Sequence, residues 1–335
     1  MIDLPLLSAL FVAFALALYV LLDGFDLGVG ALLLFQPDEA VRDRMVASIT
    51  PTWDGNETWL IMAGVALLAG FPIAYGILLP AFYLPLVIML LSLGLRGVSF
   101  EFRVQQVAGR RGWDLAFGIG SITAGAMQGL IVGGLVEGVT VAPAVGGWSF
   151  AGQVTDLFRP FALLSAVALV TGQGAFGAAW LRFKGTDALQ GFATRALQRI
   201  LPITLLLGAA TFAAAVVVQP GMAAAWARMP LPLGLSVAAF LACGLTAWIS
   251  IDRAADGAPF AWVIAMIAAA IVGLGLAIFP DVVPFRLSLW EAASATSSHI
   301  FLLVGASIVT PIVLAYSAFA YHVFRGKTPV AGWDA

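Results

Sequence analysis

Residues 5–35 read PLLSALFVAFALALYVLLDGFDLGVGALLLF, an apolar run whose only charged members are Asp23 and Asp26. About 20 apolar residues in a helix cross a bilayer core of about 30 Å, so this stretch predicts a transmembrane helix carrying two carboxylates inside it. The rest of the 335-residue chain follows suit, with 61% apolar and 10% charged residues and a mean hydropathy of +1.01, which excludes a soluble domain. Apolar runs predict spans near 5–35, 46–69, 72–101, 113–136, 158–183, 197–219, 230–250, 258–279 and 297–324, one transmembrane domain over 1–335. The first has no basic stretch ahead of it and is too long for a signal-peptide core, so it reads as a retained helix.

Charge supplies the orientation. Arg42, Arg44, Arg96, Arg103, Arg110, Arg111, Arg182, Lys184, Arg195, Arg199, Arg253, Arg325 and Lys327 fall on or near one side, against Arg159, Arg228 and Arg286 on the other. The positive-inside rule then predicts an outer amino terminus and a cytoplasmic carboxyl terminus, which nine spans satisfy. A net charge of −2 without a basic stripe gives nucleic acid no footprint. Cys243 is the only cysteine, so there is no disulfide framework and no thiolate metal site.

An ionisable group inside a span costs about 2.5 to 3.5 kcal/mol on insertion scales and needs a partner, water or a proton. Three clusters raise that demand. In Leu22-Asp23-Gly24-Phe25-Asp26-Leu27-Gly28 the two acids lie three residues apart, on one helix face and ~4.5 Å apart along the axis. Pro51-Thr52-Trp53-Asp54-Gly55-Asn56-Glu57-Thr58-Trp59 repeats that spacing with Asp54 and Glu57. Leu95-Arg96-Gly97-Val98-Ser99-Phe100-Glu101-Phe102-Arg103 adds mixed charge, with Arg96 as countercharge to any of the four acids. The predicted topology gathers all three at the cytoplasmic side of the membrane. An ion-pair network that locks helix register and a site that handles protons are both open readings of this charge.

Other features read more plainly. Gly125, Gly129 and Gly133 form a small-residue face for helix packing. Trp113, Trp148, Trp180, Trp248, Trp262 and Trp290 sit near helix ends as interfacial anchors. Gln128 and Gln173 are expected to hydrogen-bond neighbouring helices, and Glu137 and Glu291 to be solvated near the outer face. His299 and His322 are ~35 Å apart on one helix and cannot share a haem; each reads as a helix-end cap or surface residue, with a single axial haem ligand as the alternative.

The motifs around Asp23–Gly28, Trp53–Trp59 and Arg96–Arg103 resemble those of subunit II of cytochrome bd quinol oxidase. Weaker similarity runs through Ser288-Leu289-Trp290-Glu291-Ala292 and from Pro311 to Tyr321, so the resemblance covers essentially the whole chain. Short loops fit the cyanide-insensitive branch as well as the ordinary one. The resemblance implies an all-α integral membrane subunit of nine helices, two four-helix bundles plus one peripheral helix, in a bacterial cytoplasmic (inner) membrane. It implies a heterodimer with subunit I, which holds two haems b and one haem d, oxidises quinol and reduces dioxygen to water with cytoplasmic protons.

On that reading this chain contributes no catalytic residue, ligates no metal or haem, and serves as an accessory subunit of a respiratory electron-transport complex. By motif match Asp54 resembles the family's carboxylate on a proton route, with Glu57, Asp23 and Asp26 grouped beside it. Trp59 resembles the tryptophan at the dioxygen entrance. Asp26 and Arg96 resemble positions tied to haem-site integrity, with Glu101 beside them. In several relatives histidine precedes the tryptophan-aspartate pair, where this chain has Thr52. Some members hold a structural quinone in this subunit, which no residue here predicts. A small single-helix subunit and lipid are further candidate partners. The competing reading is a proton-coupled secondary transporter, but such folds commonly repeat their broken helices in two halves, and here the intramembrane charge is confined to the first third.

Overall fold

The first helix, α1 (Leu4–Leu33), starts where Asp3 accepts a hydrogen bond from the Leu6 amide at 3.0 Å and Pro5 occupies the first turn. It ends in a turn before the short α2 (Glu39–Ala47), capped by the Asp38 side chain. The helices α3 (Trp53–Gly70), α4 (Pro72–Ala81), α5 (Tyr83–Gln105) and α6 (Arg110–Glu137) follow. A hairpin of β1 (Val141–Ala144) and β2 (Gly147–Phe150) and a single 3-10 turn lead to α7 (Pro160–Lys184) and α8 (Asp187–Val218). The rest comprises α9 (Pro220–Arg228), α10 (Pro230–Ser250), α11 (Ala258–Ile278), the small pair β3 (Asp281–Val283) and β4 (Leu287–Ser288), and α12 (Thr296–Val323). This computed structural model describes residues 3–106, 109–144, 147–253 and 256–329.

Among the described residues eight helices, α1, α5, α6, α7, α8, α10, α11 and α12, are long and apolar enough to cross a membrane. The expected span at 46–69 is shorter, because the chain turns through Ser48–Thr52 at Pro51 and α3 opens only at Trp53. The expected span at 72–101 is two helices meeting at Phe82, flanked by Pro80 and Pro85, each of which removes a backbone donor. The expected span at 197–219 is the second part of α8, which begins at Asp187 and extends its polar first turns beyond the apolar stretch.

α1 is the central element and packs on α3, α6, α7, α12 and α11. α5 lies on α6, α8 on α7, and α10 on α11 and α8, while α12 rests on α3 and α1. The glycine face of α6 meets α7: a Cβ on Gly129 would stand 2.4 Å from Ala166 Cα, and one on Gly133 2.5 Å from Ala162 Cα. Trp180 departs from the anchor reading, being buried and stacked on Phe25 at 4.4 Å within a cluster that includes Phe176 and Phe260. Packing of α7 against α1 turns it inward, whereas Trp148, Trp248, Trp262 and Trp290 are exposed.

The two ends of the molecule differ in chemistry. At one, Trp290 donates to Asp3 and the Ser294 amide to the Gly70 carbonyl, beside the β-hairpins. At the other, buried Asp114 accepts from Arg42 at 2.7 Å and from Arg103 at 2.6 Å, and Arg103 and Arg110 both reach Asp43. There the chain after α12 is fastened down: Thr328 donates to the Lys184 carbonyl, and Lys327 pairs with Asp256 at 2.6 Å. The hydrogen bond from Lys327 holds the Asp256 carboxyl below its usual range.

Candidate functional site

From Asp23 to Gly30 every residue of α1 is buried, because α3, α6 and α7 close around this half of the helix. Asp23 and Asp26 are both fully buried, and so is Arg96 of α5. One terminal nitrogen of Arg96, Nη2, donates to Asp23 Oδ1 at 2.7 Å and to Glu57 Oε2 at 2.8 Å. Asp26 Oδ2 accepts from Asn56 Nδ2 at 2.8 Å, and Asn56 Oδ1 accepts from the Tyr321 hydroxyl of α12 at 3.0 Å. Four helices therefore meet at three carboxylates and one guanidinium. Ion pairing offsets one negative charge, and a low-dielectric surround makes the excess costly unless a proton resides there.

A second polar row approaches from the opposite side. Gln173 of α7 donates to Gln128 of α6 at 2.8 Å, and Gln128 donates to Tyr19 of α1 at 2.5 Å. Because Tyr19 accepts at its oxygen, its own hydrogen is left for onward donation, and Asp23 lies one turn further on. These amides behave as expected of intramembrane glutamines, bonding across helices.

Several polar atoms at the centre have no hydrogen-bond partner among the described residues: Asp23 Oδ2, Asp26 Oδ1, Arg96 Nε and Nη1, and Trp59 Nε1. Each such buried group calls for a partner, a proton or a water to satisfy it.

The remaining candidates spread outward from this centre. Glu57 keeps 24% of its side chain exposed, and Asp54, one turn nearer the helix start, is exposed. Three residues turn a helix through about 300°, which leaves the two side chains about 60° apart, and the edge of the buried contact passes between them: Glu57 faces Arg96 while Asp54 lies on the rim. Asp54 heads a stripe on α3 that continues through exposed Ile61, Val65 and Leu68. Glu101 is exposed and stands outside the cluster. Trp59 is fully buried, with Phe14 edge-on at 5.9 Å and Ala15, Tyr19 and Ala63 around it.

Two expectations need correction. His299 is a buried residue, 1% exposed, with Nδ1 on the Ser8 hydroxyl at 2.8 Å and its ring against Phe71, because α1 and the α3–α4 junction cover the start of α12. Glu137 is half-buried, with Oε2 shielded and unpartnered among the described residues, since the loop after β2 folds over it. Glu291 is exposed and accepts from Ser288. His322 is exposed and contacts Arg325. Among the described residues no three His, Cys, Asp or Glu side chains group as a metal site.

The sequence reading missed Asn56, Tyr321 and Asp114. Asn56 stood inside a quoted motif. Asp114 was the only acid at the inner start of its span, beside many arginines, and that imbalance was the available signal.

A family model described as cytochrome bd terminal oxidase subunit II matches residues 4–324. The chain is 28% identical to the Bacillus subtilis cytochrome bd ubiquinol oxidase subunit 2, covering 96% of this chain and 94% of that one. It is 29% identical to the Escherichia coli K12 cytochrome bd-I ubiquinol oxidase subunit 2, covering 96% and 93%. The solved structure of the bd oxidase from Geobacillus thermodenitrificans superposes on 96% of this chain with a TM-score of 0.78 at 15% identity, a likeness of fold.

Proposed function

The chain belongs to the cytochrome bd terminal oxidase subunit II family, and from that premise we propose that it is the accessory subunit through which protons approach the haems of a partner subunit I. It is a multi-pass membrane component of a quinol-oxidising oxidoreductase complex. The finer reading counts α3 as a ninth span, so that α1, α3, α5 and α6 form one four-helix bundle, α7, α8, α10 and α11 a second, and α12 the peripheral helix. The arginine-rich end then faces the cytoplasm of a bacterial inner membrane.

The carrying observation is the gradient of exposure along the acids: Asp54 open at the rim, Glu57 part-exposed, Asp23 and Asp26 sealed against Arg96. Asp54 crowns an uncovered apolar stripe, and a carboxylate there needs protein or water beside it rather than lipid. We assign that face to subunit I. Asp54 takes protons from the cytoplasmic side, Glu57 passes them inward, and the pair of buried aspartates holds one beside the fixed positive charge. Dioxygen reduction itself is the chemistry of the haems, two b and one d, which this reading places in subunit I. This reading leaves both histidines off the haems: His299 bonds Ser8 under Phe71, and His322 contacts Arg325. Trp59 and the small residues around it supply the apolar route for dioxygen. The competing transporter reading draws no support from the relatives, which are named as oxidase subunits.

Asp54→Asn tests the route in the purified complex. Quinol-driven oxygen consumption is expected to fall about a hundredfold or more, in the range typical of losing a proton-transferring group, with the haem spectrum unchanged. Parental turnover across the pH range would reject Asp54 as a proton carrier. The division of labour is checked separately: haem absorbance is expected only in preparations that contain subunit I, and a Soret band in the isolated chain would overturn it.

A further inference from the structure

We propose that Tyr321, on the last helix, is a positioning residue for the buried acid Asp26, acting through Asn56 so that Asp26 Oδ1 is the oxygen that takes the proton. This rests on the reading of Asp26 as a proton holder.

The argument is one of hydrogen-bond polarity. A carboxylate can only accept, so the group facing Asp26 Oδ2 at 2.8 Å must be the amide nitrogen of Asn56. That leaves the amide oxygen pointing away, where it accepts from the Tyr321 hydroxyl at 3.0 Å. The order of donation is thus Tyr321 to Asn56 to Asp26. Removing the hydroxyl frees the amide to turn over when Asp26 is protonated and accept the acid's proton in a hydrogen bond, which favours the protonated form. Asp26 Oδ2 is already occupied by this bond, while Oδ1 is buried without a partner among the described residues.

Tyr321 is itself held firmly. Its ring meets Trp180 edge-on at 6.4 Å, and it lines a narrow cleft with Ser48, Thr52 and Lys184 at the arginine-rich end. Just beyond, the chain after α12 is tied to α7 by the bond from Thr328 to the Lys184 carbonyl. The charged groups around Asp26 are Asp23 on its own helix, Glu57 from α3 and Arg96 from α5. α12 presents Tyr321 and α3 the neutral Asn56; α6 and α7 bring the neutral amides Gln128 and Gln173 nearby, and Lys184 lies behind Tyr321 in the cleft.

The test is Tyr321→Phe in the purified two-subunit complex, with Asp26→Asn alongside and Tyr83→Phe, an exposed tyrosine near the opposite end, as control. The ring and its packing survive this change, so haem content is expected to stay at the parental level. A hydrogen bond donated to the ionised acid favours that form, so its loss should move the inflection in the turnover-pH profile upward by about half a pH unit or more. The infrared carbonyl band that Asp26→Asn abolishes should shift in Tyr321→Phe and stay fixed in Tyr83→Phe. A Tyr321→Phe profile and band superimposable on the parent would overturn the positioning role even where Asp26→Asn alters both. An Asp26→Asn complex with parental profile and spectrum would bring down the proton-holding reading itself.

Discussion

Arg96→Leu is expected to abolish the haem-containing complex, leaving membranes in which neither subunit accumulates with its haem spectrum. Leucine fits the apolar surroundings, so the loss follows from charge and not from size. In the parent, Arg96 Nη2 is shared between Asp23 and Glu57, and Asp26 is close enough to feel the same cation. Removing one partner of a buried pair costs about 3 to 5 kcal/mol, because the other charge remains buried and uncompensated. Here three carboxylates lose their only counterion among the described residues, and that cost falls on the packing of α1, α3 and α5. Arg96→Lys keeps the charge and a nitrogen that can donate to two acids, but its side chain is one bond shorter and lacks the planar guanidinium, so it should give a partial phenotype. The sharper check is the double variant Asp23→Asn with Arg96→Leu, which should recover part of the haem signal that Arg96→Leu loses. Normal haem content in Arg96→Leu would remove this arginine from the site.

That cluster shows where sequence reasoning reaches and where it stops. The spacing of Asp23 and Asp26 on one helix face, and the need of both for a countercharge, follow from helical geometry and the cost of burial, which are local properties. Which acid reaches Arg96 is not local: Asp54 and Glu57 have the same spacing, yet the edge of the α1–α3–α5 contact passes between them, leaving one on the rim and one inside. Asn56 and Tyr321 are 265 residues apart, and nothing in either segment announces the other. The division of the 72–101 run was legible in Pro80 and Pro85, which a reading based on hydropathy alone passes over. His299 and Trp180 were misjudged for a common reason. Both lie near helix ends, where isolated helices are solvated, but neighbouring elements cover them here.

The last glycine of the Asp23–Gly28 motif leads to the second large effect. A Cβ at Gly28 would stand 1.8 Å from the Gln173 carbonyl oxygen and 2.8 Å from the Gly177 nitrogen, and a Cβ at Gly177 would stand 2.4 Å from Gly28 carbon. These neighbours are backbone, so no side-chain rotation relieves the clash, and α1 and α7 have to separate. Such close crossings between membrane helices depend on small residues at the contact. Separation would loosen Phe25 from Phe176 and Trp180 and draw Gln173 away from Gln128. Gly28→Ala is therefore expected to destabilise the complex by about 3 kcal/mol, the upper part of the usual range for overpacking, and to be seen as a lowered thermal midpoint of haem release. Gly275→Ala, on α11 away from the α3 stripe and at a position with nothing within 4 Å, should leave that midpoint unchanged. Because Asp26 lies two residues before Gly28, the displacement should also stretch its bond to Asn56, so turnover measured below the midpoint should fall as well. A midpoint for Gly28→Ala equal to that of Gly275→Ala would show that α1 and α7 can part freely, and that the motif glycine is not what sets the depth and register of the acids.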